Sequence, residues 1–320
     1  MRSVPASDPP SPLAPSPADR PPTATTERES VRINRAHWDA LAAVHGTGHD
    51  RIYDIDALVA GHNSMTSHEL AAVRDSVGDV AGLDVLHVQC HLGFDSISLA
   101  RAGAHVTAVD VSPMSLAKAA DIAERCGVQV DWVEADAMQL PPYLHGRFDL
   151  AYATFGVLAW IEDLQAWMDS VAACLRPGGQ LAIVELHPVF SLVSGTDPLR
   201  LWPTGTYSFA GPEFNDDDGS YASPKESVRS TAKVFFAHDL GEIVTTAIRA
   251  GLTVTALSEH TSAEFDPTGW LLHEESDGAW RVRSDGVALP VLFTLLATSP
   301  PARTPASPPA RTPASPPARP

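Results

Sequence analysis

The segment from Asp84 to Leu186 alternates strand-like and helix-like stretches, and this constrains the fold more than any other feature. An apolar strand, DVLHVQ (84–89), leads through a loop to a short helix, DSISLARAG, stopped by Gly103. HVTAVD (105–110) is a second strand. SPMSLAKAADIAERCG follows with Ser112 at the N-cap position, Pro113 at the first helical position and Gly127 at the close. VQVDWVEAD and FDLAYAT read as strands, DLQAWMDSVAACL as a helix, RPGG as a tight turn and QLAIVEL as the next strand. Such alternation predicts a parallel, doubly wound α/β sheet with right-handed crossovers. Upstream, RINRAHWDALAAVHG sets Ile33, Trp38 and Leu41 at helical spacing before Gly46, and SHELAAVRDSVGDV predicts a helix capped by Ser67. The pattern breaks from Pro188 to about Pro224. It resumes with a strand-like SVRSTAKVFFAH, a helix DLGEIVTTAIRAG and the strands LTVTALSEH and PVLFTLLAT. The expectation is a mostly parallel seven-stranded sheet, with an insertion over about 188–224 ahead of the last helix and two strands. A long irregular insertion in such a place usually covers a site.

Both ends of the 320-residue chain lie outside this pattern. Residues 1–30 are rich in Pro, Ser and Ala, and 299–320 repeat SPPARTPA, so both are expected to be disordered tails around a domain of 31–298. The N-terminus lacks the apolar core of a secretory signal, and VALPVLFTLLAT is too short to span a bilayer. Cys90, Cys126 and Cys174 have no metal-ligand spacing and read as reduced thiols of a cytoplasmic protein. A net charge of −17 argues against a broad nucleic-acid surface. The run Asp216, Asp217, Asp218 reads as a solvated loop, so no metal site is expected.

Ligands of open parallel sheets bind beyond the carboxyl ends of the strands. Polar residues gather there: Gln89 to Gly93 after the first strand, Asp110 after the second, Asp136 after the third and Thr154 after the fourth. Glu185 and His187 follow the fifth, and Glu259 and His260 the next. Asp110 has the spacing from Gly93 of a carboxylate that accepts ribose hydroxyls, although support of the following helix is the alternative use. Asp136 falls on the base side of such a nucleoside.

In this order, VLHVQCHLG, VTAVDVS, VEADAMQLP, GRFDLAYATFGVLAW and LRPGGQLAIVELHP resemble the motifs of class I S-adenosylmethionine-dependent methyltransferases over roughly Ser67 to His260. The chain is similar, more narrowly, to a bacterial branch whose first loop is a His-Leu-Gln-Cys-His-type motif. The resemblance implies a Rossmann-like fold, S-adenosylmethionine as cofactor and a small-molecule acceptor methylated on O, N or C. It implies cofactor contacts from Gln89, Cys90, His91, Gly93, Asp95, Asp110, Val111, Asp136, Ala137 and Thr154. His187 is the first candidate base and His238 the second, each equally compatible with a structural hydrogen bond. Phe155, Trp160, Trp202, Phe214 and Tyr221 are candidate acceptor-pocket aromatics or ordinary core, and Trp38 and Tyr53 candidate lid residues. The first loop departs from the usual acid-x-Gly-x-Gly-x-Gly. His87 replaces the acid, and Gln89 and His91 replace two glycines, so either those two residues use other backbone geometry or the methionine part of the cofactor sits differently. LPPY (140–143) precedes the fourth strand and reads as a loop, not as an amino-methylating DNA motif. The rivals are a nicotinamide-dependent oxidoreductase, which wants Gly-x-Gly-x-x-Gly, and a non-catalytic cofactor-bound interaction module with proline-rich tails.

Overall fold

A computed structural model describes residues 27–47, 52–194, 200–201, 207–208, 211–216, 220–222, 232–266 and 271–302. The tail segments 1–26 and 303–320 and much of the insertion fall outside the described residues. Seven helices are named here: α1 (Glu29–Val44), α2 (Ile55–Val59), α3 (Ser67–Val77), α4 (Phe94–Arg101), α5 (Pro113–Cys126), α6 (Leu164–Cys174) and α7 (Leu240–Arg249). The main sheet holds β1 (Asp84–Val88), β2 (His105–Asp110), β3 (Asp131–Glu134), β4 (Phe148–Thr154), β5 (Leu175–Leu186), β6 (Thr253–His260) and β7 (Leu292–Thr298). Their order is β6-β7-β5-β4-β1-β2-β3. β5, β4, β1, β2 and β3 run parallel, and β7 pairs antiparallel with both β5 and β6. The expected seven-stranded, mostly parallel sheet is therefore observed.

Period-2 alternation divides the core between the two faces of the sheet. Leu86 and Val88 of β1 pack toward α6 and α7, with Trp167 fully buried among them. Val85 packs the other way, against Ala72 and Val73 of α3 and Leu99 of α4. Central strands buried on both faces need continuous apolar runs, and LAIV (181–184) in β5 supplies one, fully buried throughout. The Arg-Pro-Gly-Gly turn shifts the β4–β5 register, so that Phe148 pairs with Leu175 and Leu150 with Gln180. A Cβ on Gly179 would stand 2.8 Å from the Phe148 carbonyl oxygen, which explains the second glycine.

Three expectations change. The cap of α3 is Thr66, not Ser67: Thr66 Oγ1 accepts from Glu69 N–H and Glu69 Oε2 accepts from Thr66 N–H, a reciprocal capping box. The strand read as VQVDWVEAD extends only over Asp131–Glu134. SVRSTAKVFFAH contributes Lys233–Phe235 to a two-stranded ribbon with Glu213–Asn215, outside the main sheet. The cause is a side chain acting as a strand partner. Asn34 of α1 donates to Val234 O at 3.0 Å and accepts from Val234 N–H at 2.8 Å. Between β6 and β7 lie two further ribbons, His273–Glu274 with Trp280–Arg281 and Arg283–Ser284 with Val287–Ala288, too short to show a period. Among the described residues, no helix is long and apolar enough to cross a membrane.

Candidate active site

The loop leaving β1 answers the question raised by its missing glycines. Gln89 and His91 both take the left-handed conformation, with φ of 59° and 47°, and Gly93 follows at 68°. The first of the two alternatives, other backbone geometry, does not occur. Non-glycine residues hold the torsions that glycine favours, at a cost of roughly 1–2 kcal/mol each. Side-chain bonds offset that cost. Gln89 Nε2 donates to Val157 O at 3.0 Å, and Trp167 Nε1 donates to Gln89 Oε1 at 2.8 Å. His91 uses both ring nitrogens, Nδ1 with Ser115 Oγ at 3.0 Å and Nε2 with His45 Nδ1 at 2.8 Å. Burial holds the His91 ring well below the usual histidine pKa, so it is neutral. Gly93 itself is required by contact as well as torsion, since a Cβ there would lie 2.7 Å from Trp132 Cζ3.

A cavity of about 790 Å³ lies over the carboxyl ends of β3, β2, β1 and β4. This is toward the upper end of the ~300–1,000 Å³ typical of ligand sites. Asp110 stands at its β2 side, accepting from His91 N–H at 2.8 Å on one oxygen and Ser112 N–H at 2.9 Å on the other. Burial raises its pKa to about 6, against the lowering effect of those backbone donors. Asp136, at the β3 end, accepts from Met138 N–H at 2.9 Å and is likewise raised by burial. Val111, Ala137, Cys90 and Thr154 complete this wall. Burial pushes the Cys90 thiol well up, which keeps it protonated.

The cavity floor holds a polar cluster. Glu69, buried in α3, accepts from Tyr152 Oη at 2.6 Å and Thr154 Oγ1 at 2.7 Å. Asp95, in the first turn of α4, accepts from Ser64 Oγ at 2.6 Å. Burial, then the neighbouring Glu69 carboxylate, raises Asp95 well above the usual carboxylate range. His87 bonds Ser96 Oγ through Nδ1 at 2.7 Å, while its Nε2 has no partner. Burial lowers the His87 pKa to about 3. Among the described charged residues lining the cavity, five are carboxylic acids (Glu69, Asp95, Asp110, Asp136 and Glu264) and one is a lysine, Lys233.

The roof comes from outside the alternating core. Trp38 of α1 meets the Trp160 ring at 5.0 Å and the His91 ring at 4.9 Å. Phe235 lies 4.5 Å from Trp160. Tyr53 and Tyr221 share a 2.5 Å hydrogen bond between hydroxyls, and His45 Nε2 bonds Ser220 Oγ at 2.6 Å. Trp38, Tyr53, Trp160 and Tyr221, read separately in the sequence, thus converge. Phe155, at φ 36°, lines the cavity beside Phe265. The loop after it is hung on buried Glu185, which accepts backbone N–H groups from Gly156, Val157 (2.7 Å) and Leu158 (3.0 Å).

Three candidates do not join the site. His187 is buried and caps a short 3₁₀ turn, with Nδ1 accepting from Val189 N–H at 3.1 Å and Nε2 bonded to Glu259 at 2.8 Å. His238 bonds Glu242 through Nδ1 and Ile161 O through Nε2 at 2.7 Å. Neither lines the cavity. The histidine bonds hold the entrances to chain segments, which is the structural use that the sequence also allowed. Phe214 is 70% exposed and off the cavity. Trp202, with Asp217 and Asp218, lies outside the described residues. The sequence reading missed Glu69, Met65, Glu264 and Phe265. Glu69 had one usable signal, the Thr66-x-x-Glu69 capping pattern, but that marks a helix start and not a site.

A family model described as a methyltransferase domain matches residues 85–179. The ubiquinone biosynthesis O-methyltransferase of Bordetella bronchiseptica is 30% identical over 184 residues, covering 56% of this chain and 74% of that protein. The enzyme of the same name from Xanthomonas axonopodis pv. citri is 31% identical over 189 residues, 58% of this chain and 77% of its own. Among solved structures, an S-adenosylmethionine-dependent methyltransferase from Mesorhizobium loti superposes with a TM-score of 0.50 at 19% identity, over 75% of this chain and 99% of that one. One from Clostridium acetobutylicum gives 0.51 at 13% identity, over 77% and 96%. The structural likenesses concern the fold.

Proposed function

The chain belongs to the class I S-adenosylmethionine-dependent methyltransferases, and from that premise we propose that it methylates a hydroxyl oxygen of a small aromatic acceptor beneath the roof of this cavity. The observation that carries the cofactor side of the reading is charge: five carboxylic acids and one lysine line the cavity. That lining suits a cofactor with a sulfonium and an ammonium, and repels the pyrophosphate of a nicotinamide dinucleotide. Bound there, S-adenosylmethionine supplies an electrophilic methyl group.

The chain's own residues hold, align and exclude water. Each oxygen of Asp110 takes one backbone N–H and keeps a lone pair, so the carboxylate can accept two ribose hydroxyls. Asp136 and Ala137 flank the base. The left-handed turn at Gln89, His91 and Gly93 allows close backbone approach, and the side chains of Gln89 and His91 serve the protein rather than the ligand. This substitution of bonded side chains for glycines also supports membership of the narrower His-Leu-Gln-Cys-His-type branch. Thr154 and Phe155 border the reacting end. The aromatic roof shields the transfer, which depends on alignment and on water exclusion. Aromatic walls and the O-methyltransferase relatives together favour a hydroxylated aromatic acceptor. The three free cysteines support a reducing, cytoplasmic setting.

The test has two stages. Thermal shift with S-adenosylhomocysteine, NAD and NADP should show stabilisation by the first alone; stabilisation by NAD alone would overturn the cofactor assignment. A panel of phenols, aromatic amines and alkyl amines is then assayed for S-adenosylhomocysteine formation. Turnover confined to the amines would refute the acceptor assignment.

A further inference from the structure

We propose that Phe155, Phe265 and Glu264 form the acceptor subsite, a slot that takes an uncharged aromatic ring and rejects an anionic one. The proposal rests on reading the cavity as the S-adenosylmethionine site. Strand order separates the two ligands. With the base at the β3 end, the ribose at β2 and the left-handed turn at β1, the cofactor follows three strand ends. The cavity runs on past β4 to Leu186 at the end of β5. The wall at that end comes from the chain leaving β6, not from the insertion over 188–224. β6 is antiparallel to β7 and β7 to β5, so β6 also ends on the cavity side, and Glu264 and Phe265 reach back to line it.

The segment after β6 is fixed at residues on both sides of Phe265. Ser262 O accepts from His68 Nε2 at 3.1 Å, and Ala263 exchanges two backbone hydrogen bonds of 2.9 Å with Trp280. Glu264 Oε1 accepts from Ser67 N–H at 2.5 Å, and Asp266 Oδ2 accepts from Leu271 N–H at 3.0 Å. Phe265 lies between these last two. Its half-buried ring stands 5.6 Å from that of Phe155, at 74° to its plane. Phe155 is held as firmly. Its N–H donates to Val184 O at 2.9 Å, and buried Glu185 accepts from the N–H groups of the next three residues. At φ 36° it is strained, and such strain persists where the surroundings over-determine it. Two rings set edge to face offer the face and the edge that a third ring prefers. Glu264 adds charge. Among the described residues its second oxygen has no hydrogen bond and neither oxygen has an ion pair. The lysine of the cavity lining, Lys233, stands over Phe235 at the roof. An anionic ring in the slot therefore meets a carboxylate that no neighbouring cation offsets, and a neutral ring does not.

The experiment is steady-state methyl transfer by the full chain to 4-ethylphenol and to 4-hydroxyphenylacetate, which match in size and differ in charge. Titration with S-adenosylhomocysteine is the control for the cofactor side. Wild type should favour 4-ethylphenol at least ~10-fold in kcat/KM, the scale of one carboxylate at close range. Glu264→Gln keeps an acceptor for Ser67 N–H and loses the charge, so that preference should shrink at least ~3-fold. Phe265→Leu keeps the bulk and loses the ring, so KM for 4-ethylphenol should rise ~3- to 10-fold, while affinity for S-adenosylhomocysteine stays within about twofold. A preference unchanged in Glu264→Gln, an unchanged KM in Phe265→Leu, or acceptor and S-adenosylhomocysteine weakening in parallel would overturn the proposal and leave phenol methylation standing. If Phe265→Leu fails to fold, the wild-type preference and its response to Glu264→Gln decide. Transfer to neither acceptor overturns the acceptor assignment and this proposal with it.

Discussion

Replacing Asp110 by Asn tests the centre of the proposed site, because the ribose-binding proposal gives that carboxylate two separable effects. The first is on the free protein. Its folded pKa is raised to about 6 from an ordinary 3.8, by burial that the backbone N–H groups of Ser112, His91 and Val111 only partly oppose. A carboxyl raised in this way favours the folded state below about pH 4, and that contribution is lost as pH rises through about 6. The difference of roughly two units corresponds to ~3 kcal/mol at 1.36 kcal/mol per unit, an order-of-magnitude figure. Urea melts of wild type should therefore show stability falling between pH 4 and 6, with that part of the slope missing in Asp110→Asn. The second effect is on binding, and 5′-methylthioadenosine is the ligand of choice because it has the ribose and lacks the ammonium. Asn keeps one acceptor but no charge. Losing charge-assisted hydrogen bonds worth ~1.5–3 kcal/mol should weaken binding ~10- to 150-fold at pH 8. Wild-type affinity should also fall as pH drops through about 6, up to tenfold per unit, while the variant's stays flat. Wild-type affinity that is equal at pH 5 and pH 8, or an Asp110→Asn variant that binds like wild type, would refute the ribose role and leave Asp110 as support for α5.

Gly93→Ala forces a Cβ against Trp132 at φ +68°, so it should cost ~2 kcal/mol or more in a denaturant melt, and Trp132→Leu should return part of it. Gln89→Gly relieves backbone strain but strands Trp167 Nε1 and the Val157 carbonyl, so a net loss of ~1–3 kcal/mol is expected. A stabilised Gln89→Gly protein would mean that the strain outweighs the bonds. His187→Gln should lower the melting temperature and leave the shape of the pH–rate profile unchanged, because His187 is bound to Glu259 and Val189 away from the cavity. Disappearance of one limb of that profile would restore it as a base.

What could be read from the sequence follows the range of the forces involved. The β-α alternation is written in local periodicity, and each strand end carries its polar residue by position, so Asp110, Asp136 and the loop after β1 were visible from spacing alone. The roof was not. Trp38, Tyr53, Tyr221 and Phe235 come together from segments about 15 to 200 residues apart, and no local pattern records that meeting. The capture of Val234 by Asn34 has the same character: one buried amide reproduces a strand's donor and acceptor and draws a strand-like segment away from the sheet. The partners of His187 are hidden from the sequence for a related reason. A strand-end histidine acts as a base only with one ring nitrogen open to the reacting group, and the groups that occupy both here, Glu259 and the Val189 N–H, lie on another element or in the next turn.

The first loop shows how one backbone shape can be reached by two routes with different consequences. Glycines reach left-handed torsions cheaply but lose the most entropy on folding, and they bond nothing. Gln89 and His91 pay strain instead, and their side chains tie the turn to Val157 and Trp167 on one side and to Ser115 and His45 on the other. His45 in turn bonds Ser220 of the insertion. The turn after β1 is thus joined through His91 and His45 to the insertion at the cavity roof. Glycines at these two positions could make the turn but not that connection. A His91→Gly protein should therefore keep much of its affinity for S-adenosylhomocysteine while KM for the acceptor rises. A parallel loss of both would show that the side chain serves the turn alone.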